Sequence, residues 1–310
     1  MATRSERLET TDVVLAHLRG RKIDVKGTAF QLLLLLSLLL SLGILVVLLV
    51  QVTAGSIDVF RNRGFEFLRA NVSSLPDLAG VAQGIAGSLL LMAFVVVFAF
   101  PLGIGAAVYL EEYARDTAFN RFINVNIRNL AGVPSVVYGL FGLAVFVELL
   151  GGFTGGRSVL SAGLTLAIVV LPIVIITSAE ALRAVPQSIR EAGYGVGATK
   201  WEVVRSHVLP LAAPGILTGT ILSLSRALGE TAPLLMVGAV SGFFVSASDG
   251  VWETLQSQFQ SLPTIVFNWA RLPASGFRAL TSAAIVVLLL LTLSANALAI
   301  ILRRRYERKW

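Results

Sequence analysis

The sequence has no cysteine and only two histidines, His17 and His207. That excludes a disulfide scaffold, a thiolate metal site, a Cys nucleophile and an HExxH zinc site. No Gly-Lys dipeptide occurs, so the chain lacks the GxxxxGK[ST] phosphate cradle and cannot be an ATP-binding subunit of the Walker type. A GxSxG nucleophile elbow is missing too. Charge is scarce: 14% of the 310 residues are charged, against about a quarter in an average soluble domain. What the chain has instead is apolar surface, at 55% of residues and a mean hydropathy of +0.81. A disordered chain needs the opposite balance, and a water-soluble globule has too little interior to hide so much. The composition points to a membrane.

Residues 28–52 are uncharged and long enough to cross a bilayer core of about 30 Å. A signal peptide would have a shorter apolar core and a small-residue cleavage site, so this stretch reads as a retained anchor. Five more apolar segments follow, at 82–110, 129–150, 159–180, 211–240 and 279–302. The expectation is an all-α polytopic protein with six transmembrane helices and both termini on one side. If the termini and the loops 111–128 and 181–210 face the cytoplasm, they carry 18 Lys and Arg against 6 in the opposite loops. The positive-inside rule then gives an N-in, C-in topology. The net charge of +7 reflects cations beside anionic headgroups rather than nucleic-acid binding.

Glycines inside the spans, such as Gly84, Gly87, Gly139, Gly142, Gly215 and Gly219, read as places of close helix approach. Residues 1–27 form a cytoplasmic tail that either lies along the membrane surface or is solvated, and 303–310 form a basic cytoplasmic anchor. Outer residues 241–278 place Trp252, Phe259, Phe267 and Trp269 among polar residues. Headgroup-depth aromatics are the first reading of that stretch. A short helix touching a soluble receptor is the second.

Residues 181–210 are too long for a bare connection and carry their own structural signals. Pro186 suits the first turn of a short helix, and Gly193, Gly195 and Gly197 suit its end. Thr199 and Glu202 are spaced as a capping box that opens a second short helix, with Pro210 as its stop. A helix–turn–helix on the cytoplasmic face is expected.

Within this loop, Glu191-Ala192-Gly193, Gly197 and Leu209-Pro210 resemble the EAA motif of bacterial ABC-importer permeases. Gly193 and His207 depart from that pattern. The stretches GVPSVVYGL (132–140), LTLAIVVLPIVI (164–175), RALGETAPLLMVG (226–238) and YLEEYA (109–114) resemble the phosphate-specific branch, PstA type rather than PstC type. The resemblance covers residues 82–302 and implies the MetI-like permease fold in the bacterial inner membrane. It implies that the loop is a coupling helix, with Glu191, Ala192, Gly193, Gly197, Thr199 and Lys200 facing an ATPase. The partners it implies are a PstC-type permease, PstB-type ATP-binding subunits that hold ATP and Mg, and a periplasmic PstS-type phosphate-binding protein. The chain itself would bind no cofactor and catalyse nothing.

Arg226 is the only Lys or Arg inside the six expected spans, and Glu230 follows it at i,i+4. Charges at mid-membrane usually face a cavity or substrate path, each costing about 2.5–3.5 kcal/mol on insertion scales. The forked guanidinium suits a tetrahedral oxyanion, and Glu230 can accept the O–H that phosphate, unlike sulfate, retains. Arg226 and Glu230, with Ser223 on the same face, are therefore the expected substrate path. Thr231, Ser135 and Tyr138 are weaker candidates. A self-neutralising ion pair is the structural alternative. Rival functions are a permease for molybdate or sulfate, an ion-coupled carrier using Arg226 and Glu230 as a proton relay, and an intramembrane enzyme. No inverted repeat favours the carrier, and no nucleophile or metal motif favours the enzyme.

Overall fold

The computed structural model describes residues 25–238 and 250–306. Expectations that fall on 1–24, 239–249 and 307–310 lie outside the described residues. Twelve helices and no strand occur among those described. They are α1 (Val25–Arg69), α2 (Ala82–Tyr113), α3 (Ala118–Ala131), α4 (Ser135–Leu149), α5 (Gly151–Thr154) and α6 (Val159–Arg183). After these come α7 (Gln187–Gly195), α8 (Lys200–Gly229), α9 (Ala232–Met236), α10 (Val251–Gln256), α11 (Leu262–Ala270) and α12 (Gly276–Tyr306). Five of them, α1, α2, α6, α8 and α12, are long and apolar enough to cross a membrane. The sixth crossing exists only as the pair α3 and α4, bent by 101°.

That bend corrects the expected span at 129–150. Pro134 cannot continue a helix, because its ring would meet the carbonyl four residues back, at Leu130. The chain turns there, and α4 alone is 15 residues, about 22 Å. The Tyr138 hydroxyl donates to the Leu130 carbonyl at 2.8 Å, so this candidate tyrosine pins the bend.

The chain divides into two units, 1–51 and 52–310. In the first, every side chain from Thr28 to Gln51 is exposed. In the second, α6 is the central helix, with 16 buried residues. One apolar core joins α2, α6, α8 and α9 with Phe259, and another joins the end of α1 to α11 and α12. A third lies where Ala107, Leu182, Val185, Val203 and Val208 meet beneath the loop after α6. Residues 53–69, expected as loop, are helical and continue α1, with a break at Gly64 (φ 46, ψ −122) that favours glycine. Phe259 and Trp269, read as interfacial, are 1% and 4% exposed and belong to the cores. Trp252 and Phe267 remain exposed.

Two prolines sit inside long helices by a common device. Pro101 and Pro210 each follow a π-helical segment, Val95–Ala99 and Val204–Val208. Each segment ends with an N–H that reaches five residues back, from Phe100 to Val95 and from Leu209 to Val204. The wider turn accommodates a residue that has no N–H and would crowd an α-helical carbonyl. Pro210 therefore does not stop the second loop helix, which runs on into α8.

Small residues mark close approaches, as expected. A Cβ on Gly219 would lie 2.3 Å from Thr177 Oγ1, and one on Gly87 would lie 1.8 Å from the Gln260 carbonyl oxygen. Gly87→Ala should thus cost about 1–3 kcal/mol or more, as overpacking does. The check is the thermal unfolding midpoint of the detergent-solubilised protein. Gly43→Ala meets nothing within 4 Å and should leave the midpoint unchanged or raise it.

Candidate functional site

Two regions carry the expected functional residues. The first is the loop between α6 and α8. Pro186 is the N-cap of α7, one position outside the helix it was expected to begin. Gly193 and Gly195 lie within α7, and only Gly197 has a left-handed backbone, at φ +84. The Gly197 N–H donates to the Tyr194 carbonyl at 2.9 Å and the Ala198 N–H to the Gly193 carbonyl at 3.1 Å. Those two bonds are a Schellman ending, which needs glycine at its left-handed position. Thr199 then caps α8. Its Oγ1 accepts from the Glu202 N–H at 3.4 Å, and its own N–H donates to Glu202 Oε2 at 2.7 Å.

The loop therefore presents two helical segments hinged at Gly197. Glu191, Ala192, Gly197, Thr199 and Lys200 are exposed along it. Gly193 is buried, and a Cβ there would lie 2.7 Å from Val203 Cγ2. Its departure from alanine lets the two segments touch. Gly193 is thus a packing residue rather than part of the exposed face.

Sequence reading missed what holds the loop in place. The end of α2 is π-helical, Tyr109–Tyr113. Arg183, the last residue of α6, forms a two-point ion pair with Glu111, including Nε to Oε2 at 2.8 Å. Arg190 on α7 donates to Glu112 from Nη2 at 2.6 Å and from Nε at 3.2 Å. It also donates to the carbonyls of Val185 at 2.8 Å and Leu182 at 3.0 Å. The Arg190 and Glu112 side chains are 13% and 4% exposed. The Lys200 ammonium lies 5.2 Å from the centre of the Tyr113 ring. Glu111, Arg183, Pro186, Arg190, Tyr194 and Lys200 line an open cleft of about 590 Å³ at this end. The one sequence signal was a pair of adjacent carboxylates ending an uncharged helix.

The second region is Arg226 and Glu230. The structure sets them at the end of α8 rather than in mid-helix. Continuing the helix would drive the Pro233 ring into the Gly229 carbonyl, and Glu230 takes an extended conformation (φ −72, ψ 119) as the C-cap. Arg226 lies 17 residues after Leu209, about 25 Å along the axis. The ion pair still forms, with Arg226 Nε 3.1 Å from Glu230 Oε1. Only that edge of the guanidinium is engaged, and its Nη groups have no partner among the described residues. Arg226 is 50% exposed and Glu230 13%. Ser223 does not join them: it is buried and donates to the Gly219 carbonyl at 2.8 Å within its own helix. Both Ser225 and Thr218, also on α8, bind α12. Ser225 donates to Asn296 Oδ1 at 2.5 Å, and Arg303 donates to Thr218 Oγ1 at 2.8 Å. No group of three metal-ligating side chains occurs among the described residues.

Gly197 has a positive φ but nothing within 4 Å of its Cβ position. Strain, not a clash, sets the effect of substitution. Gly197→Ala should cost about 1–2 kcal/mol locally, and Gly197→Asn less, because asparagine tolerates this conformation. Limited proteolysis within 181–210 should be fastest in the alanine variant and intermediate in the asparagine variant.

Residues 99–308 match the family described as binding-protein-dependent transport system inner membrane component. The chain is 38% identical over 224 residues to the phosphate transport system permease protein PstA of Yersinia pestis, covering 71% of each chain. It is 35% identical over 212 residues to PstA of Mycobacterium leprae, covering 68% of this chain and 66% of that one. Among solved structures, it resembles a MetNI methionine ABC transporter in an inward-facing conformation, with a TM-score of 0.57 at 18% identity over 74% of this chain and 98% of that one. It also resembles a bacterial alginate ABC transporter in complex with an alginate pentasaccharide-bound periplasmic protein, with a TM-score of 0.60 at 17% identity over 92% and 99%. These structural likenesses establish the ABC-importer permease fold. With its apolar crossings, its hinged loop and two thirds of its length matched, the chain belongs to the binding-protein-dependent inner-membrane transport components.

Proposed function

We propose that this chain is a PstA-type permease subunit of an ATP-driven phosphate importer. It forms half of the translocation path, the other half coming from a homologous PstC-type subunit. PstB-type subunits hold ATP and Mg and hydrolyse the nucleotide, and a periplasmic PstS-type protein delivers phosphate. The chain itself is non-catalytic and binds no cofactor, a reading supported by its lack of any Gly-Lys dipeptide. Both termini are cytoplasmic in the inner membrane, a reading supported by the lysine and arginine bias of its loops.

The observation that carries the phosphate reading is the half-engaged guanidinium. Glu230 holds the Nε edge of Arg226, and the Nη edge has no partner among the described residues. That edge can give a phosphate two charge-assisted hydrogen bonds without ever losing its proton. The exposure of Arg226 on this chain suits a path shared with a second membrane subunit. Glu230 can accept the phosphate O–H while limiting the net attraction, which aids release. Sulfate offers no such proton. The loop, with Glu191, Ala192, Gly197, Thr199 and Lys200 exposed, is the ATPase-coupling surface.

Arg226→Gln should lower phosphate uptake about tenfold or more, as loss of a charge-assisted bond of about 1.5–3 kcal/mol implies. Arg226→Lys should impair it less. The deciding variant combines Arg226→Gln with Glu230→Gln, measured in assembled complexes. If Arg226 contacts the anion, uptake stays defective. If it only neutralises Glu230, uptake returns, and the substrate-path reading fails. Competition by excess phosphate but not by sulfate should accompany wild-type uptake.

A further inference from the structure

Three consecutive residues at the end of α2 each bind a different element. Glu111 binds Arg183 at the end of α6, Glu112 binds Arg190 on α7, and Tyr113 lies under Lys200, the first residue of α8. Successive residues of a helix diverge by roughly 100°, so one short stretch can reach three neighbours. Both halves of the hinged loop, on either side of Gly197, are thereby fastened to adjacent residues of one helix. That stretch is π-helical and closes with the Ala114 N–H donating to the Tyr109 carbonyl at 2.8 Å, after which the backbone becomes extended.

The three fastenings differ in strength. Glu112 and Arg190 are nearly enclosed, and Arg190 uses its remaining donors on the Leu182 and Val185 carbonyls. Leu182 lies in the last turn of α6 and Val185 just beyond it, where a cation is favoured by the helix dipole. Removing one partner of such a pair strands the other charge without water. Arg183 is 46% exposed, and its pair with Glu111 is worth correspondingly less. Lys200 and Tyr113 are both exposed, so their contact is weak as well.

From this arrangement we infer that Glu112, with Tyr113, is a positioning element of ATP-coupled transport. It makes the loop and the end of α2 move as one body, so that displacement of the loop is delivered to α2 as well as to α8. Because α2 packs along α6, the push reaches the centre of the bundle. The inference rests on the reading of the loop as the ATPase-coupling surface.

The test uses the complete transporter in liposomes, with inorganic phosphate and ATP. Glu112→Gln should keep the ATPase subunits bound and hydrolysing, while phosphate moved per ATP falls at least about fivefold. Tyr113→Ala should lower that ratio less, and Glu111→Gln by less than about twofold. A Glu112→Gln complex that keeps its ATPase subunits and the wild-type phosphate-per-ATP ratio overturns the inference. Failure of the underlying loop reading looks different, because the wild-type chain would then not retain those subunits through the loop. Should Glu112→Gln fail to insert, a cross-link decides. The chain has no cysteine, so Glu112→Cys with Arg190→Cys can be joined by a short cleavable bismaleimide in place of the ion pair. A phosphate-per-ATP ratio that is low before cross-linking, rises on cross-linking and falls again on cleavage supports the inference. A ratio that cross-linking leaves unchanged or lowers overturns it.

Discussion

A guanidinium held by one carboxylate and by two carbonyls at and just beyond a helix end organises the loop end of this molecule. Arg190 joins Glu112 of α2 to the ends of α6 and α7 while lying almost out of reach of water. Burying either charge alone would cost several kcal/mol, and the pair repays this only through good geometry and additional bonds. Arg190 has both: its Nη2 makes a 2.6 Å contact with Glu112, and its guanidinium also donates to the Leu182 carbonyl in the last turn of α6 and to the Val185 carbonyl just beyond it. The apolar cluster of Leu182, Val185, Val203 and Val208 closes over this arrangement. The hinge at Gly197 can then be free to bend without the loop leaving the bundle, because each arm is tied separately.

Proline shapes the rest of the bundle in three ways. At Pro101 and Pro210 a preceding π turn lets the helix continue. At Pro134 the helix breaks and bends by 101°, and the carbonyl set free is taken by Tyr138. At Pro233 the helix ends four residues earlier, which releases Glu230 from helical geometry and turns it toward Arg226. The break that ends α8 thus also leaves the arginine with one edge paired and the other without a partner among the described residues. Helix breaks are costly in lipid unless neighbouring groups satisfy the freed backbone. Here Tyr138 does so at the first break, and the Glu230 N–H donates to the Ala227 carbonyl at the second.

Local features were legible in the sequence and long-range pairings were not. The Thr199–Glu202 capping box and the positive φ of Gly197 follow from side chains two or three residues apart, and both are present. The close approaches at Gly215 and Gly219 follow from small residues in an apolar run. Hydropathy also found every long crossing, yet it is blind to direction. It read 129–150 as one span, and it ran 211–240 past the break that Pro233 imposes. Counting residues within that apparent span put Arg226 at its centre, whereas the helix ends three residues after it. The Glu112–Arg190 pair joins residues 78 positions apart. Nothing in periodicity or spacing announces such a contact, although two carboxylates closing an otherwise uncharged helix implied that cations lay nearby. Ser223 lies apart from the pair for a simpler reason. A serine inside a helix can satisfy itself on the carbonyl four residues back, and this one does.

If α2 and the hinged loop travel together, the distance between spin labels on Arg115→Cys, just beyond α2, and Tyr194→Cys, on the exposed side of α7, stays fixed through the cycle. The assembled transporter is measured nucleotide-free and with ATP bound. Joint movement gives one distance distribution common to both states. A distribution that shifts on ATP binding would show the loop sliding past α2 and would contradict it.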